Sequence, residues 1–122
     1  MLIEGLYTIV EFHYDEQKVN ATIQLNKDHD IFKGHFPGNP VMPGVCMIQI
    51  IKELTEKATA KKLFLSVSSN IKFMALINPE VNAILKLSIS VSEEGELIKI
   101  KNTSSFEDTV ALKLSATFKQ IG

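Results

Sequence analysis

GHFPGNPVMPGV, at residues 34–45, contains three prolines, three glycines and one histidine. Proline restricts φ and glycine admits backbone conformations that other residues resist, so this composition predicts a loop of defined shape. Pro43 and Gly44 suit the start of a helix, where backbone N–H groups have no intrahelical partner. A histidine beside such N–H groups, at the positive end of a helix dipole, predicts an acid–base site with a holder for an anion or carbonyl oxygen. Taken alone, one histidine in a loop of this kind is more often structural.

Upstream of this loop, the chain alternates with the two-residue period of β-strands. Residues 6–14 form the first run, residues 15–17 a polar turn and residues 19–25 a second run. This pattern predicts two half-buried strands joined as a hairpin. The predicted inward faces are Leu6, Thr8, Val10, Phe12 and Tyr14 in the first strand, and Val19, Ala21, Ile23 and Leu25 in the second.

Downstream of the loop, the apolar residues recur at helical spacing from Pro43 to about Thr59. The first half of this helix is apolar nearly all round, so we expect it to be buried on most sides. The second half is polar and should face solvent. The apolar positions are Val45, Ile48, Ile51, Leu54 and Ala58, and the polar ones are Lys52, Glu53, Glu56 and Lys57.

Strand periodicity returns after the helix and continues to the end of the chain. The predicted strands span residues 63–73, 81–91, 97–101 and 110–118. Two strands, one long helix and then a run of antiparallel strands form an α+β pattern. We therefore predict a single domain over residues 1–122, with one curved antiparallel sheet wrapped round one long central helix.

Composition narrows the classes of partner. The chain has 122 residues and a formal net charge of −1, which argues against nucleic acid or an anionic membrane as its main partner. No apolar stretch approaches the roughly 18 residues of a membrane span, and no signal peptide is evident. Cys46 is the only cysteine, so no intrachain disulfide can form. It reads as a core residue, and we expect a cytoplasmic protein.

The loop resembles a known family signature. Residues 34–38 (GHFPG) and 40–45 (PVMPGV) are similar to the signature of the β-hydroxyacyl-acyl-carrier-protein dehydratases of the hotdog superfamily. Residues 70–73 (NIKF), ahead of Asn78 and Pro79, resemble the third-strand segment of these enzymes. The resemblance implies a hotdog fold and a lyase of fatty-acid or related acyl or polyene biosynthesis that needs no cofactor. It also implies a dimer or an assembly of dimers, in which two subunits share each site.

The chemistry of dehydration makes three demands on the site. Removing water from a 3-hydroxyacyl thioester needs a base for the C2 proton and an acid for the departing hydroxyl. It also needs a donor for the thioester carbonyl oxygen, which gains negative charge. The resemblance implies that His35 is the base and that the backbone N–H of Gly44 is the donor. An imidazole titrates near neutral pH, which suits the first role.

The acid is where this sequence departs from the family. The dehydratases carry Glu or Asp fourteen residues after the histidine, and here that position is Gln49. An amide can hydrogen-bond a hydroxyl but is no proton donor at neutral pH. Glu53 lies one helical turn further on and could serve a displaced site. The alternative is that Glu53 is a solvated residue on the outer half of the helix.

Other side chains give weaker signals. An acyl tunnel lined by apolar residues is one interpretation, and ordinary core is the other; the candidates are Phe36, Met42, Val45, Met47, Phe73 and Met74. Scattered lysines predict contact with an acidic carrier protein or with coenzyme A phosphates, or merely a solvated surface; they are Lys27, Lys33, Lys61, Lys62 and Lys72. The short cluster Asp28, His29, Asp30 and His35 lacks a clear ligand set, so no metal is predicted.

Three function classes therefore stay open. The first is a 3-hydroxyacyl-carrier-protein dehydratase. The second is a non-catalytic hotdog subunit that binds an acyl chain or completes the site of a different hotdog chain, and Gln49 favours it. The third is a hotdog thioesterase, against which the GHFPG run at residues 34–38 and the missing carboxylate at position 49 argue.

Overall fold

The computed structural model of the chain describes residues 5–32 and 42–121, without the side chains of residues 65–69. The first hairpin is β1 (Tyr7–Asp15) and β2 (Lys18–Leu25), followed by a 3-10 turn (Asp30–Phe32) and the helix α1 (Gly44–Thr59). Four strands complete the described part: β3 (Leu63–Phe73), β4 (Ile84–Glu94), β5 (Leu97–Phe106) and β6 (Thr109–Gln120).

All six strands form one antiparallel sheet in the order β1-β2-β4-β5-β6-β3. Helix α1 packs against β2, β3 and β4, and its buried side chains join those of the sheet in one core. The predicted α+β class, with one curved antiparallel sheet around one long helix, is confirmed. In β2, β4 and β5, buried and exposed residues alternate over most of the strand. The two-residue period of a strand turns every second side chain towards the core.

Helix α1 begins where the sequence predicts. Pro43 is extended, at φ −64° and ψ 142°, and its carbonyl oxygen accepts the N–H of Cys46 at 3.0 Å. The buried face comprises Cys46, Met47, Ile50, Ile51, Leu54 and Thr55. The expectation that the first half is buried nearly all round is wrong at Val45, which is 72 % exposed. Its position on the helix turns it away from the sheet.

The predicted inward face of the first strand is right at Leu6, which is buried, and at Phe12, which packs against the core. It is wrong at the exposed residues Thr8, Val10 and Tyr14. The pairing with β2 shifts register between Ile9 and Glu11, so one extra residue enters β1 at that point. A bulge of this kind reverses the alternation of faces. As a result Tyr7 and Phe12 both pack against the core, although they differ by an odd number of positions, whereas Val10 is 53 % exposed. By contrast, all four predicted inward residues of β2 are buried.

Two strand boundaries differ from prediction. The strand predicted from residue 81 begins at Ile84, because the chain turns at Asn78, whose carbonyl oxygen accepts the N–H groups of Val81 and Asn82. The strand predicted over residues 97–101 runs on to Phe106. Its second half contains Asn102 and Ser104, which are buried although they are polar. A strand prediction based on alternating apolar residues therefore ends too early.

Candidate active site

The entry to α1 is hydrogen-bonded to the segment after β3. The N–H of Met42 donates to the carbonyl oxygen of Ile77 at 2.7 Å. At the end of β3, the N–H of Met74 donates to the carbonyl oxygen of Ala111 at 2.8 Å. Gly44 and Val45 open the helix, and helix geometry gives their N–H groups no intrahelical acceptor.

Gly44 and Phe73, both predicted as site residues, meet at this point. A Cβ built on Gly44 would lie 2.6 Å from Cζ of Phe73, closer than real Cβ atoms approach their neighbours. The Phe73 ring thus occupies the space that a side chain at position 44 would take. It is still 57 % exposed. The helix start consequently combines a backbone N–H at the positive end of the dipole with an accessible aromatic face.

Gln49 and Glu53 also come together. The Gln49 Nε2 group donates to Glu53 Oε2 at 2.8 Å across one turn of α1. The hydroxyl of Tyr7, at the start of β1, donates to the other carboxylate oxygen, Glu53 Oε1, at 2.8 Å. Glu53 is therefore partly buried and doubly hydrogen-bonded, and the alternative of a merely solvated side chain does not describe it. Burial raises the pKa of the Tyr7 phenol, and the bond to Glu53 and the charge of Glu53 raise it further.

Tyr7 is a site residue that the sequence analysis missed. Strict alternation assigned it to the outer face of β1, opposite Leu6 and Thr8. The bulge between Ile9 and Glu11 separates the faces on either side of it, and nothing in the sequence around Val10 marks that bulge. The chemistry of tyrosine could have indicated its role. A tyrosine at the start of a predicted strand can bury its ring, and its hydroxyl then needs a hydrogen-bond partner such as a carboxylate on the helix.

An open cleft of about 690 Å³ extends from Gln49 and Glu53 along the second half of α1. Its charged lining includes Lys52, Lys57, Lys61 and Lys62, with Glu53 and Glu56. Part of this charge is already engaged: Lys61 pairs with Glu93, Glu56 accepts the N–H of Leu63, and Lys57 lies over the Phe12 ring. The cleft therefore offers a mixed rather than a uniformly basic surface beside the predicted site.

The predicted acyl-binding residues divide into two groups. Met42 and Met47 are buried in the core, at 5 % and 0 % exposure. Val45, Phe73 and Met74 are exposed near the helix start. His35 and Phe36 lie outside the described residues. The tunnel stays a prediction.

The possible metal cluster is not assembled within the described part of the chain. His29 Nδ1 accepts the N–H of Ile31 at 3.0 Å, which gives this ring nitrogen a structural role in the 3-10 turn. Within residues 5–32 and 42–121, no three side chains of metal-ligating type gather in one place. In the same ranges, no helix has the length and apolar character needed to cross a membrane.

The family model and the relatives that match this chain are dehydratases. The model of the ApeI-like family, described as ApeI dehydratase, matches residues 11–113. A 3-hydroxyacyl-[acyl-carrier-protein] dehydratase FabZ from Lactobacillus helveticus is 31 % identical over 110 residues, which are 84 % of this chain and 73 % of the relative. The FabZ of Pediococcus pentosaceus is 29 % identical over 123 residues, covering 91 % and 77 %.

The fold also matches a solved structure. The dehydratase heterocomplex ApeI:P from Xenorhabdus doucetiae contains a chain that superposes with a TM-score of 0.75 at 22 % identity. The match covers 92 % of this chain and 96 % of that one. At this identity the likeness establishes a shared fold.

Proposed function

Because this chain belongs to the ApeI-like dehydratase family, we propose that it removes water from the 3-hydroxyacyl thioester of a carrier protein or of coenzyme A. The observation that carries the proposal is the helix start. There Gly44 leaves its backbone N–H at the positive end of α1, and the exposed Phe73 ring lies against it. This arrangement suits a flat, polarised thioester carbonyl next to an apolar chain.

The reaction begins at C2 of the acyl chain. We assign the base to His35, whose imidazole takes the C2 proton while negative charge develops on the thioester oxygen. The Gly44 N–H donates to that oxygen and the helix dipole adds to the stabilisation. Since the dipole and the N–H are already oriented, the site needs little reorganisation when the charge forms.

The Gln49–Glu53 pair is assigned to the hydroxyl side of the reaction. Gln49 lies a little more than one turn beyond Gly44 on α1, Glu53 lies about two and a half turns beyond it, and both line the cleft. Both oxygens of Glu53 act as hydrogen-bond acceptors, from Tyr7 and from Gln49. This supports a role for Glu53 as an acceptor that orients its neighbours, in place of the acid that the resemblance implies at position 49.

A second candidate is an acyl-binding subunit that completes the site of a different hotdog chain. The amide at position 49 favours it, because Gln49 cannot supply a proton. The solved ApeI:P structure is itself described as a heterocomplex. In this alternative the chain would contribute the helix start and the apolar surface, while its partner would supply the carboxyl group.

For the substrate, we propose a thioester whose carrier is acidic or phosphorylated. Lys52 and Lys62, which line the cleft beside Gln49 together with two glutamates, support this, since they would meet negative charge on the carrier. Chemistry on a soluble carrier is also in keeping with the predicted cytoplasmic location. The single-domain boundary at residues 1–122 stays a prediction.

The test is mass spectrometry of 3-hydroxyacyl-carrier protein and 3-hydroxyacyl-coenzyme A after incubation with the purified chain. Loss of one water from the acyl group supports the proposed lyase. Release of free acid would indicate a thioesterase, and an unchanged substrate would favour the binding subunit.

The His35→Ala variant is the control. Because the sequence predicts a loop around His35, we expect the same melting temperature and no dehydration. Equal melting with unchanged turnover would show that His35 is not the base.

A further inference from the structure

Glu53 joins two elements that are distant in sequence. Tyr7 on β1 and Gln49 on α1 each donate to one of its carboxylate oxygens, both at 2.8 Å. The two contacts together use both ends of the carboxylate. Its rotation about the terminal bond is therefore restrained from the strand side as well as from the helix side.

The orientation of the Gln49 amide follows from this arrangement. A carboxylate offers only acceptors, so the end of the amide that meets Glu53 Oε2 at 2.8 Å is the NH₂ group. The carbonyl oxygen Oε1 is then the other end of the amide. Because a carbonyl oxygen has two lone pairs, it can accept a hydroxyl proton from a bound substrate even while it serves a second donor.

We infer that Tyr7 is a positioning residue: its hydroxyl holds Glu53, and Glu53 in turn holds Gln49 with the amide oxygen presented to the 3-hydroxyl of the substrate. The inference rests on the proposed function and names the group that receives the hydroxyl. The Tyr7 phenol suits this task because its burial and its bond to Glu53 keep it protonated, with its pKa above the ordinary range, so that it remains a donor.

With the 3-hydroxyl donating to Gln49 Oε1, the lone pairs of the hydroxyl oxygen are left to accept a proton. As the C3–O bond breaks, the proton that the base of the proposed function has removed from C2 completes the departing water, and the C2=C3 double bond forms.

The hydrogen bond to the hydroxyl group matters while the C3–O bond breaks, so a positioning role for Tyr7 predicts an effect on the chemical step. Removal of the phenol hydroxyl should lower kcat about tenfold and leave KM within about twofold, as expected for one lost hydrogen bond that acts in the transition state.

The experiment compares Tyr7→Phe with Tyr14→Phe in the full chain. Tyr14 lies on the same strand and is 36 % exposed, so its variant controls for the loss of a phenol as such. The first readout is the side-chain amide of Gln49 by ¹⁵N NMR, assigned by its disappearance in Gln49→Met. In Tyr7→Phe we expect the exchange of these amide protons with solvent to rise about tenfold, because Glu53 is free to rotate. Tyr14→Phe should match the native chain.

The second readout is turnover, with kcat and KM measured separately for both variants. An unchanged Gln49 amide in Tyr7→Phe would overturn the inference, and so would a fall in kcat that Tyr14→Phe shares. If the native chain removes no water, the proposed function fails. The amide readout then still decides whether Tyr7 orients Gln49 through Glu53.

Discussion

Gln49 and Glu53 lie one turn apart on α1 and are joined by a 2.8 Å hydrogen bond from Nε2 to Oε2. The resemblance implies a carboxyl group at the position of this amide, and in this chain the carboxyl group lies four residues later. Because the two side chains are in contact, a change at either position alters the chemistry of the other. This coupling makes the pair the most informative place to alter the protein.

Gln49→Glu should increase dehydratase activity. The substitution is nearly isosteric, but it would place a second carboxyl group against Glu53. Repulsion between two adjacent carboxylates favours the protonated form of one of them. A proton held there would add a general acid to the site, and we expect turnover to rise by about 10²–10⁴-fold if proton donation limits the native chain.

The measurement is single-turnover water loss from a 3-hydroxyacyl thioester, with Gln49→Met as the control of similar size and no acid. Glu53→Gln distinguishes a native acid at Glu53 from an orienting role. It should silence the native chain in the first case and weaken it only partly in the second. If the Gln49→Glu variant folds but removes no water, the result would count against a latent dehydratase. It would favour the acyl-binding subunit.

Gly44→Ala should lower activity with little effect on stability. The added methyl group would approach Cζ of Phe73 at 2.6 Å, so the ring must swing away. It can do so cheaply because Cζ is the far end of an exposed side chain. We expect a melting temperature within a few degrees of native and a raised KM, since the aromatic face moves from the helix start. Phe73→Ala should show the same KM change, whereas Phe64→Ala, on the same strand, should not.

The raised pKa of Tyr7 predicts that the folded chain is less stable in alkaline solution. Burial, with the bond to Glu53, raises the pKa of its phenol in the folded state. The stabilisation is therefore complete below the ordinary phenol pKa of about 10 and is lost as the pH rises above it. We expect the free energy of unfolding to fall above about pH 10 in the native chain and in Tyr14→Phe, and to fall less steeply in Tyr7→Phe.

The thiol of Cys46 also makes the free energy of unfolding fall as the pH rises. Burial raises the pKa of its thiol, so its contribution also decreases as the pH rises. It is present in all three proteins and cancels in the comparison. Equal slopes for the native chain and Tyr7→Phe, from urea unfolding at a series of pH values, would contradict the assignment to Tyr7.

Exposed apolar side chains around the helix start predict self-association or association with a related chain. They are Val45, Phe73, Met74 and Leu76, each at least 49 % exposed. The neighbouring strand β3 is an edge strand of the sheet, and edges of this kind favour pairing with another chain. We expect sedimentation to show a dimer or a larger assembly at micromolar concentration.

Phe73→Lys should shift this equilibrium towards monomer. Val10→Lys, at an exposed apolar site on the opposite edge strand β1, is the matched control. A stable monomer of the native chain would refute self-association. Copurification with a second hotdog chain from the native source would then indicate a heterodimer.

The sequence by itself determined the class of fold and the residue at which the helix starts. The two-residue period of residues 19–25 and the helical period after Pro43 each reflect one element's contact with the core, so they can be detected locally. The same holds for Gly44, because a glycine after proline marks a helix start in the chain itself. The dehydratase family followed from residues 34–45, and the match over residues 11–113 confirms it.

Only the tertiary structure decided how the site is built. The bulge between Ile9 and Glu11 turns Tyr7 inward, and its cause is the pairing of β1 with β2, which alternation within β1 does not reveal. The contact of Tyr7 with Glu53 joins residues 46 positions apart, and the approach of Phe73 to Gly44 likewise depends on how β3 crosses the helix. Periodicity reports which side of an element is buried, whereas the partner of a polar group depends on the packing of elements that are remote in sequence.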